Sequence, residues 1–379
     1  MIQFIVRRLL ISIPVIFGVM FIVFLLSRIV PGDPCAAALG ERANPKSCET
    51  FNARIGLSLP ILPFVIKDGS DYGLTSDPAS LTNNQFVVYL RDLASGDLGT
   101  SVKHGRPVTT LLFERLPTTV ELTFYALVFA IIVGVGLGII AASRHNSKRD
   151  VLSMMVANLG VSIPVFVLGL MLAYAFGVLL KDTAVSLPPS GRLSAGFRFD
   201  SIPEAWGLTD LTGIPRGILD FLSNMYTING LVTGQFGLFA DAMRHLILPA
   251  IALGTIPMAI IARMTRSSLL DVLGREYVRT AEAKGLRPRL VLLRHGLRNA
   301  LLPVVTVIGL SVASLLSGAV LTETIFGLTG IGLTVFESIS SRDYVVIQGM
   351  ALLVALIYVV VNLITDISYG FLDARVRVS

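Results

Sequence analysis

Six long apolar stretches govern what this chain can fold into, because each is long enough to cross a membrane as a helix. A hydrocarbon core of about 30 Å is crossed by roughly 20 residues at helical rise. The stretches cover approximately residues 9–30, 118–142, 151–180, 246–262, 301–321 and 347–371. The sequence therefore predicts an all-α polytopic membrane protein with six transmembrane helices.

The composition supports a membrane protein and excludes a soluble domain that binds nucleic acid. The chain is 53% hydrophobic and only 15% charged, whereas a soluble domain carries about 25% charged residues. A net charge of +6 would suggest nucleic acid as a partner of a soluble protein, but here the arginines lie beside apolar runs, where they set membrane orientation. We therefore exclude nucleic acid and expect membrane lipid around the spans. No Ala-x-Ala site follows the first apolar run, so we interpret it as a retained span.

The distribution of Lys and Arg orients the chain. With a cytoplasmic N-terminus, the inner segments hold 16 basic residues in 59 positions and the outer segments 14 in 175. The inner segments are 1–8, 143–150, 263–298 and 373–379, and the outer ones are 31–116, 181–244 and 322–346. This asymmetry follows the positive-inside rule and predicts that both termini lie in the cytoplasm.

These boundaries divide the chain into three parts. Residues 1–30 form the N-terminal cytoplasmic end and the first span, residues 31–116 form a long external loop, and residues 117–379 form a core of five spans. The core includes a second external loop, 181–244, and a basic cytoplasmic loop, 263–298. Clusters of Asp, Gly, Pro and Asn predict mostly irregular or short-helical external loops.

Both cysteines, Cys35 and Cys48, fall in the first external loop. In an oxidising compartment a disulfide between them would stabilise that loop by about 3 kcal/mol in the chain-entropy model. Two unpaired thiols are the alternative that the sequence leaves open.

A few polar or small residues inside the spans carry further expectations. Ionisable groups in lipid are costly and mark pathways or helix contacts, and the positions to weigh are Glu121, Asn158, Asn362 and Asp366. Glu121 and Asp366 lie near span ends, where hydration or pairing with loop arginines satisfies them. A ridge formed by Gly134, Gly136 and Gly138 suits close helix contact.

Catalytic and cofactor-binding motifs are missing from the sequence. A phosphate-binding loop requires Gly-Lys followed by Ser or Thr, and no lysine here follows a glycine. The four histidines lie in four different segments without metal-ligand spacing. We therefore expect no enzyme activity, no cofactor and no metal on this chain, and any ATP and Mg on partner chains.

The cytoplasmic loop 263–298 is basic but patterned. Good helix formers cover 276–284, and Gly285 followed by Pro288 stops that helix. A second short helix is predicted from a leucine stripe at Leu290, Leu293, Leu297 and Leu301. Two helices meeting at Gly285 would form a knob that docks into a groove and passes on motion, with Ala281 as a small residue on the docking face. An ordinary loop on the lipid headgroups is the alternative.

Several short runs carry a family resemblance when taken in order. The longest are 277–286, YVRTAEAKGL, and 294–306, RHGLRNALLPVVT. The others are PGDP at 31–34, GDLGTS at 96–101, RLPTTVEL at 115–122, LP at 248–249, RMTRSS at 263–268, TETIF at 322–326 and RDY at 342–344. In this pattern the chain resembles the inner-membrane permeases of bacterial ABC importers, specifically the dipeptide/oligopeptide permease family, and 277–286 is similar to their EAA loop.

The resemblance implies a type I ABC importer permease fold with long external loops, in a bacterial inner membrane. A second homologous permease chain would complete the pore, two cytoplasmic ATPases would bind the EAA-like loops, and an extracytoplasmic substrate-binding protein would deliver a dipeptide or oligopeptide. The coupling residues that the resemblance implies are Tyr277, Arg279, Thr280, Ala281, Glu282, Ala283, Lys284 and Gly285. Arg279 and Thr280 stand where many such loops have Glu-Ala. This Arg-Thr variant resembles the loops of the peptide branch of the family.

Other functions stay open at this stage. Relatives of the same permease type carry nickel chelates, glutathione or small glycans. An ion-driven secondary transporter would favour buried carboxylates near mid-membrane and internal repeats, neither of which is clear here. A non-transport membrane subunit is the third class.

Overall fold

The fold is almost entirely helical and contains one small β-hairpin. The computed structural model describes residues 2–29, 35, 43–54, 57–62, 65–68, 71–74 and 81–372. Its long helices are α1 (Ile2–Ile29), α4 (Val108–Ser143), α10 (Phe236–Leu273), α13 (Arg298–Phe326) and α15 (Tyr344–Leu372). The shorter helices are α2 (Pro45–Arg54), α3 (Gln85–Ala94), α5 (Lys148–Ser162), α6 (Val165–Tyr174), α7 (Ile202–Ala205), α8 (Gly213–Ser223), α9 (Tyr226–Val232), α11 (Glu276–Ala283), α12 (Pro288–Leu290) and α14 (Ile331–Ser340).

Two π-helical segments and the hairpin complete the elements. The π segments are Ala175–Leu179 after α6 and Val291–Leu297 between α12 and α13. Strands β1 (Val65–Asp68) and β2 (Asp71–Leu74) pair antiparallel, with Val65 opposite Leu74. The external loop 31–116 was predicted to be irregular or short-helical, so this hairpin is an addition to the prediction.

Five of the six predicted spans correspond to unbroken candidate spans, and the sixth corresponds to a bent helix pair. Five straight helical stretches are long and apolar enough to cross a membrane: Val6–Arg28, Val108–Ser143, Phe236–Leu273, Pro288–Leu316 and Tyr344–Thr365. The span predicted over 151–180 corresponds to a broken span or a re-entrant loop, because α5 and the helical residues 165–179 are bent by 101°. Pro164 is the N-cap residue of α6 and follows the extended residue Ile163, and a proline disfavours helical backbone in the residue before it.

A second bent pair lies where an external segment was predicted. Ala319–Phe326 and Ile331–Ser340 together pass the test for a broken span or a re-entrant loop. Counting each bent pair as one span raises the number of candidate spans from five to seven. The six predicted spans are therefore matched by five straight helices and the first bent pair.

The chain forms two compact units. The first unit contains residues 1–6, 115–333 and 357–379. Its central element is α10, because 78% of the most apolar window of α10 is buried, against 28% or less for the other straight candidate spans. With 38 residues, α10 is about 57 Å long and exceeds the hydrocarbon thickness at helical rise. The predicted limits of this span, 246–262, were too narrow.

Glycines allow α4 to approach α10 closely. A Cβ atom built on Gly134 would lie 2.7 Å from the Met258 carbonyl oxygen, and one built on Gly138 would lie 2.5 Å from Thr265 Cβ. Gly136 has no such neighbour within 4 Å. The predicted glycine ridge is therefore confirmed at Gly134 and Gly138, which share one helix face at i and i+4, and is wrong at Gly136.

The second unit contains residues 7–114 and 334–356. Its aromatic core packs Phe21 and Phe24 of α1 around Phe86 of α3, with ring centroids 5.2 and 5.0 Å apart. Nearer the N-terminus of α1, Leu10 and Ile13 are each 60% exposed, as suits side chains that face lipid. A cavity of about 1110 Å³ lies beside Gln85, with Tyr89 and Gln348 in its wall.

Candidate functional site

The basic segment after α10 forms a helical hairpin, called here the 276–300 hairpin. It consists of α11, a turn at 284–287, and the helical residues from Pro288 to Ala300. Gly285 in the turn has a φ of +73°, a left-handed conformation that glycine adopts without steric cost. The predicted stop at Gly285 and Pro288 is therefore where α11 ends and the next helix begins.

The hairpin is more helical than the predicted loop 263–298. Helix α10 continues to Leu273, and the helix that begins at Pro288 runs on through α13. The prediction of a second short helix is therefore wrong, because this helix continues into a span. The hairpin leaves α10 after Leu273 and rejoins a long helix directly.

The inner face of the hairpin is an apolar contact within the chain. Val278 is fully buried, Val291 is 3% exposed and Ala281 is 7% exposed, and the three side chains form one cluster. The prediction that Ala281 lies on a docking face is therefore wrong. The small side chain of Ala281 lets α11 approach the 288–300 helix.

A tyrosine fastens the two arms of the hairpin. The Tyr277 hydroxyl donates to the His295 carbonyl oxygen at 3.2 Å and accepts from Asn299 Nδ2 at 2.7 Å. Gly296 faces α10, where an added Cβ would lie 3.1 Å from Leu269 Cδ1. The hairpin is thus tied to itself and packed against the end of α10.

The predicted leucine stripe does not form the buried face. Leu290 and Leu293 are each 40% exposed, whereas Val291 and Gly296 are buried. Residues 291–297 are π-helical, so their hydrogen bonds span five residues and the turn is wider than in an α-helix. The change of period rotates the predicted stripe away from the core.

The outer face of the hairpin presents polar and small side chains to solvent. Its exposed positions among the predicted coupling residues are Tyr277, Arg279, Thr280, Glu282, Ala283, Lys284 and Gly285. Among the residues that the structure describes, Arg279, Glu282 and Lys284 form no ion pair within the chain. An added Cβ at Gly285 would meet no atom within 4 Å. This face is therefore a charged surface whose Arg279, Glu282 and Lys284 side chains have no ion-pair partner in the described ranges.

The two cysteines of the first external loop are close together. Cys35 Sγ and Cys48 Sγ are bonded, with their Cα atoms 5.3 Å apart. Cys48 lies in α2, so the bond ties this helix to the chain after the first span.

Motifs far apart in sequence meet in space, which sequence reasoning did not foresee. In the second unit, Ser101 of the GDLGTS run donates to buried Asp343 of the RDY run at 2.6 Å. In the first unit, Arg266 of the RMTRSS run binds both carboxylate oxygens of Asp150, at 2.7 and 2.8 Å. These pairs explain why charged residues occur in otherwise apolar surroundings, but no spacing in the sequence identified the partners.

The structure gives different environments to the polar residues that the sequence places in the spans. Glu121 is 2% exposed and pairs with Arg192 of the second external loop at 3.1 Å, so the predicted pairing with a loop arginine is confirmed. Asn158 is exposed and Asn362 is half-buried. The side chain of Asp366 lies outside the described residues. In the described ranges no group of three or more His, Cys, Asp and Glu side chains is arranged to hold a metal ion.

Comparison with known families identifies the class. Residues 134–378 match the family described as the inner membrane component of binding-protein-dependent transport systems. Residues 1–67 match the N-terminal region of such membrane components. The chain therefore belongs to this family of inner membrane permease components, and it is a multi-pass inner membrane protein with the type I permease fold.

Individual relatives match over the full length. The chain is 41% identical over 377 residues to the dipeptide transport system permease protein of Alkalihalophilus pseudofirmus, with 100% of both chains covered. It is 41% identical over 378 residues to the di/tripeptide transport system permease protein of Pseudomonas aeruginosa, covering 100% of this chain and 99% of the relative. It is 40% identical over 379 residues to the dipeptide transport system permease protein of Escherichia coli, with the same coverage. The family resemblance seen in the short motifs is thereby confirmed.

Proposed function

We propose that this chain is one permease subunit of an ATP-driven importer of dipeptides or oligopeptides. The observation that carries the substrate class is the identity of about two residues in five, over the whole chain, with permeases named for dipeptide or di/tripeptide transport. In this proposal a homologous permease completes the pore, and an extracytoplasmic binding protein delivers the peptide. The hydrolysis of ATP takes place on two separate cytoplasmic ATPase chains.

Growth on a dipeptide tests the substrate class. A leucine auxotroph of the source bacterium that lacks this chain should fail to grow on Ala-Leu as its leucine source and should grow on free leucine. Restoring the chain should restore growth on the dipeptide. Normal growth of the deletion strain on Ala-Leu, combined with loss of nickel, glutathione or glycan uptake, would assign one of the alternative substrates instead.

The outer face of the 276–300 hairpin is the proposed contact with an ATPase. Two properties support it: the inner face packs on Val291 and α10, so the hairpin moves as a rigid body, and the outer face carries Arg279, Glu282 and Lys284 without intrachain ion pairs in the described residues. Movement of the ATPases during the ATP cycle would then shift α10 and α13, which the hairpin joins. The ATPases would bind one conformation of the permease more tightly than the other, and this difference in affinity would shift the population between the two conformations.

Site-specific crosslinking tests the hairpin contact. In a background with Cys35→Ser and Cys48→Ser, a cysteine at exposed Ala283 should crosslink to the ATPase through a short bifunctional reagent. A cysteine at buried Ala281 is the matched control and should not crosslink. Crosslinking of neither position in an intact complex would exclude this face as the contact.

The orientation and the disulfide belong to the same proposal. The positive-inside pattern places the hairpin and both termini in the cytoplasm and the segments 31–116 and 181–244 outside. The pair Cys35–Cys48 then lies in an oxidising compartment, where a disulfide persists. Mass spectrometry of unreduced peptides should find the two cysteines linked, and free thiols at both positions in freshly prepared membranes would refute the bridge.

A further inference from the structure

Two polar residues in the first half of α4, Thr119 and Glu121, reach different parts of the first unit. Thr119 is 3% exposed and Glu121 is 2% exposed. Side chains at i and i+2 of a helix do not face each other, so the two side chains leave α4 in different directions. Each one meets a segment distant in sequence.

Glu121 holds the segment 191–232, which belongs to the second external loop. Its carboxylate accepts from Arg192 Nη2 at 3.1 Å, and from both the backbone N–H and the hydroxyl of Thr227 at 2.7 Å. The Arg192 guanidinium also lies over the Tyr226 ring, 3.8 Å from its centroid. A buried ion pair with this many satisfied partners is costly to break, because either charge left alone is buried without compensation.

Thr119 binds a different region, the connection between α13 and α14 where the second bent helix pair turns. Its hydroxyl donates to Glu323 Oε1 at 2.6 Å and accepts from the backbone N–H of Ile331 at 2.9 Å. Glu323 is fully buried and also accepts from the Leu333 N–H at 3.0 Å. The last turn of α13 and the first turn of α14 are thus bound to one threonine of α4.

Glycines permit the close approach of Glu323 to α14. An added Cβ at Gly330 would lie 2.4 Å from Glu323 Oε1, and one at Gly332 would lie 3.0 Å from Oε2. Four residues, 327–330, separate the two helices, and Gly327 among them has a φ of +60°. The break is short and contains two glycines, so it is a point at which the helix pair can change its angle.

The external segment also contacts the end of α13, next to the break. The Gly191 N–H donates to the Phe326 carbonyl oxygen at 2.8 Å. The segment 191–232 is therefore attached to α13 at its beginning, and to α4 through Arg192 and Thr227. A displacement of this segment would therefore act through these contacts on α4 and on the end of α13.

We propose that Thr119 and Glu121 are positioning residues that transmit docking of the extracytoplasmic binding protein on the 191–232 segment to the helix break at 327–330. The inference rests on the proposed function, because it assumes that this segment faces the binding protein. It accounts for two motifs, RLPTTVEL and TETIF, by a single network: the first supplies Thr119 and Glu121, and the second supplies Glu323.

The test compares two adjacent buried threonines in the complete transporter. Thr118 is 1% exposed, and its hydroxyl has no hydrogen-bond partner in the described structure. Thr119→Val and Thr118→Val remove the same atom from neighbouring positions, and Thr119→Ser keeps the hydroxyl. The complex with its second permease, ATPases and binding protein is reconstituted in lipid nanodiscs. ATP hydrolysis is measured with and without binding protein loaded with Ala-Leu.

Thr119→Val should retain basal ATP hydrolysis and normal affinity for the binding protein, because residue 119 is buried inside this chain and cannot touch the ATPases or the binding protein. The stimulation of ATP hydrolysis by loaded binding protein should fall about fivefold or more, because typical coupling free energies between two sites correspond to factors of this size. Thr119→Ser and Thr118→Val should behave as wild type. Glu121→Gln, which removes the charge that pairs with Arg192, should also lose stimulation.

Two results would overturn the inference. Normal stimulation of Thr119→Val would show that the link carries no signal, and equal loss of basal and stimulated hydrolysis would show a structural role alone. Failure of the proposed function is distinguishable, because the wild-type complex would then show no stimulation by any peptide-loaded binding protein.

Discussion

Gly285 illustrates how one backbone conformation determines the shape of the 276–300 hairpin. Its φ of +73° is accessible to glycine and, at modest cost, to asparagine, but it is unfavourable for a β-branched residue. Because an added Cβ would meet no atom within 4 Å, the cost of substitution here comes from the backbone and not from crowding.

Gly285→Val should therefore distort the turn at a cost of about 1–3 kcal/mol, whereas Gly285→Asn should preserve it. We expect less ATPase to copurify with the valine variant and its dipeptide uptake to fall, with normal amounts of permease in the membrane. Equal uptake and copurification for the valine and asparagine variants would show that the left-handed turn is not needed for coupling.

Ala281 and Ala283 form a matched pair on opposite faces of α11. Ala281→Leu places extra volume against Val278 and Val291 and should destabilise the purified permease by about 1–3 kcal/mol. Ala283→Leu, on the exposed face, should leave the unfolding temperature unchanged and reduce the amount of ATPase that copurifies. Thermal unfolding in detergent and the ATPase-to-permease ratio measure the two effects.

Two outcomes would contradict this assignment of faces. One is an unfolding temperature that falls as much for Ala283→Leu as for Ala281→Leu. The other is full retention of the ATPase by Ala283→Leu, which would remove the exposed face from the contact.

At the scale of elements, the contact between α4 and α10 depends on two glycines four residues apart, Gly134 and Gly138. Gly138→Leu should clash with Thr265 and the Ala262 carbonyl oxygen and should lower the unfolding temperature of the purified protein. Gly136→Leu points away from that contact and is the control. If both variants unfold at the same temperature as wild type, the close approach of these helices is wrong.

The sequence predicted the existence of the long helices better than their ends. Apolar runs identified the spans, but α10 extends beyond its apolar run at both ends, because polar residues continue a helix wherever tertiary contacts support it. Pro164 gives a local reason for a break after α5, but the 101° angle of the bend depends on packing that no local pattern contains. The π segment at 291–297 similarly invalidated an α-helical count of leucines.

The candidate site was predictable only in part for a related reason. The hairpin and its stop at Gly285 followed from composition and turn chemistry, and its proposed role followed from family resemblance. The burial of Ala281 did not follow, since a small residue is equally suited to an internal contact and to a docking face. The links from Thr119 to Glu323 and from Glu121 to Arg192 join residues 204 and 71 positions apart, a separation that periodicity cannot bridge.

At the scale of the whole molecule, the chain has the features of a permease component, and we propose that partner chains drive it. It spans the membrane several times, carries a basic hairpin between two long helices, and belongs to a family of inner membrane components of binding-protein-dependent systems. The proposed energy input enters at the hairpin and the proposed substrate signal at the 191–232 segment. In this proposal, transport requires the complete assembly.

Uptake of a radiolabelled dipeptide into proteoliposomes tests this account most directly. The complex is reconstituted with ATP on the ATPase side and the binding protein on the opposite side. We predict accumulation of Ala-Leu that requires ATP, the binding protein and this chain, and that is reduced by Ala283→Leu but not by Thr118→Val. ATP-independent accumulation driven by an ion gradient, or accumulation that persists without this chain, would contradict the account.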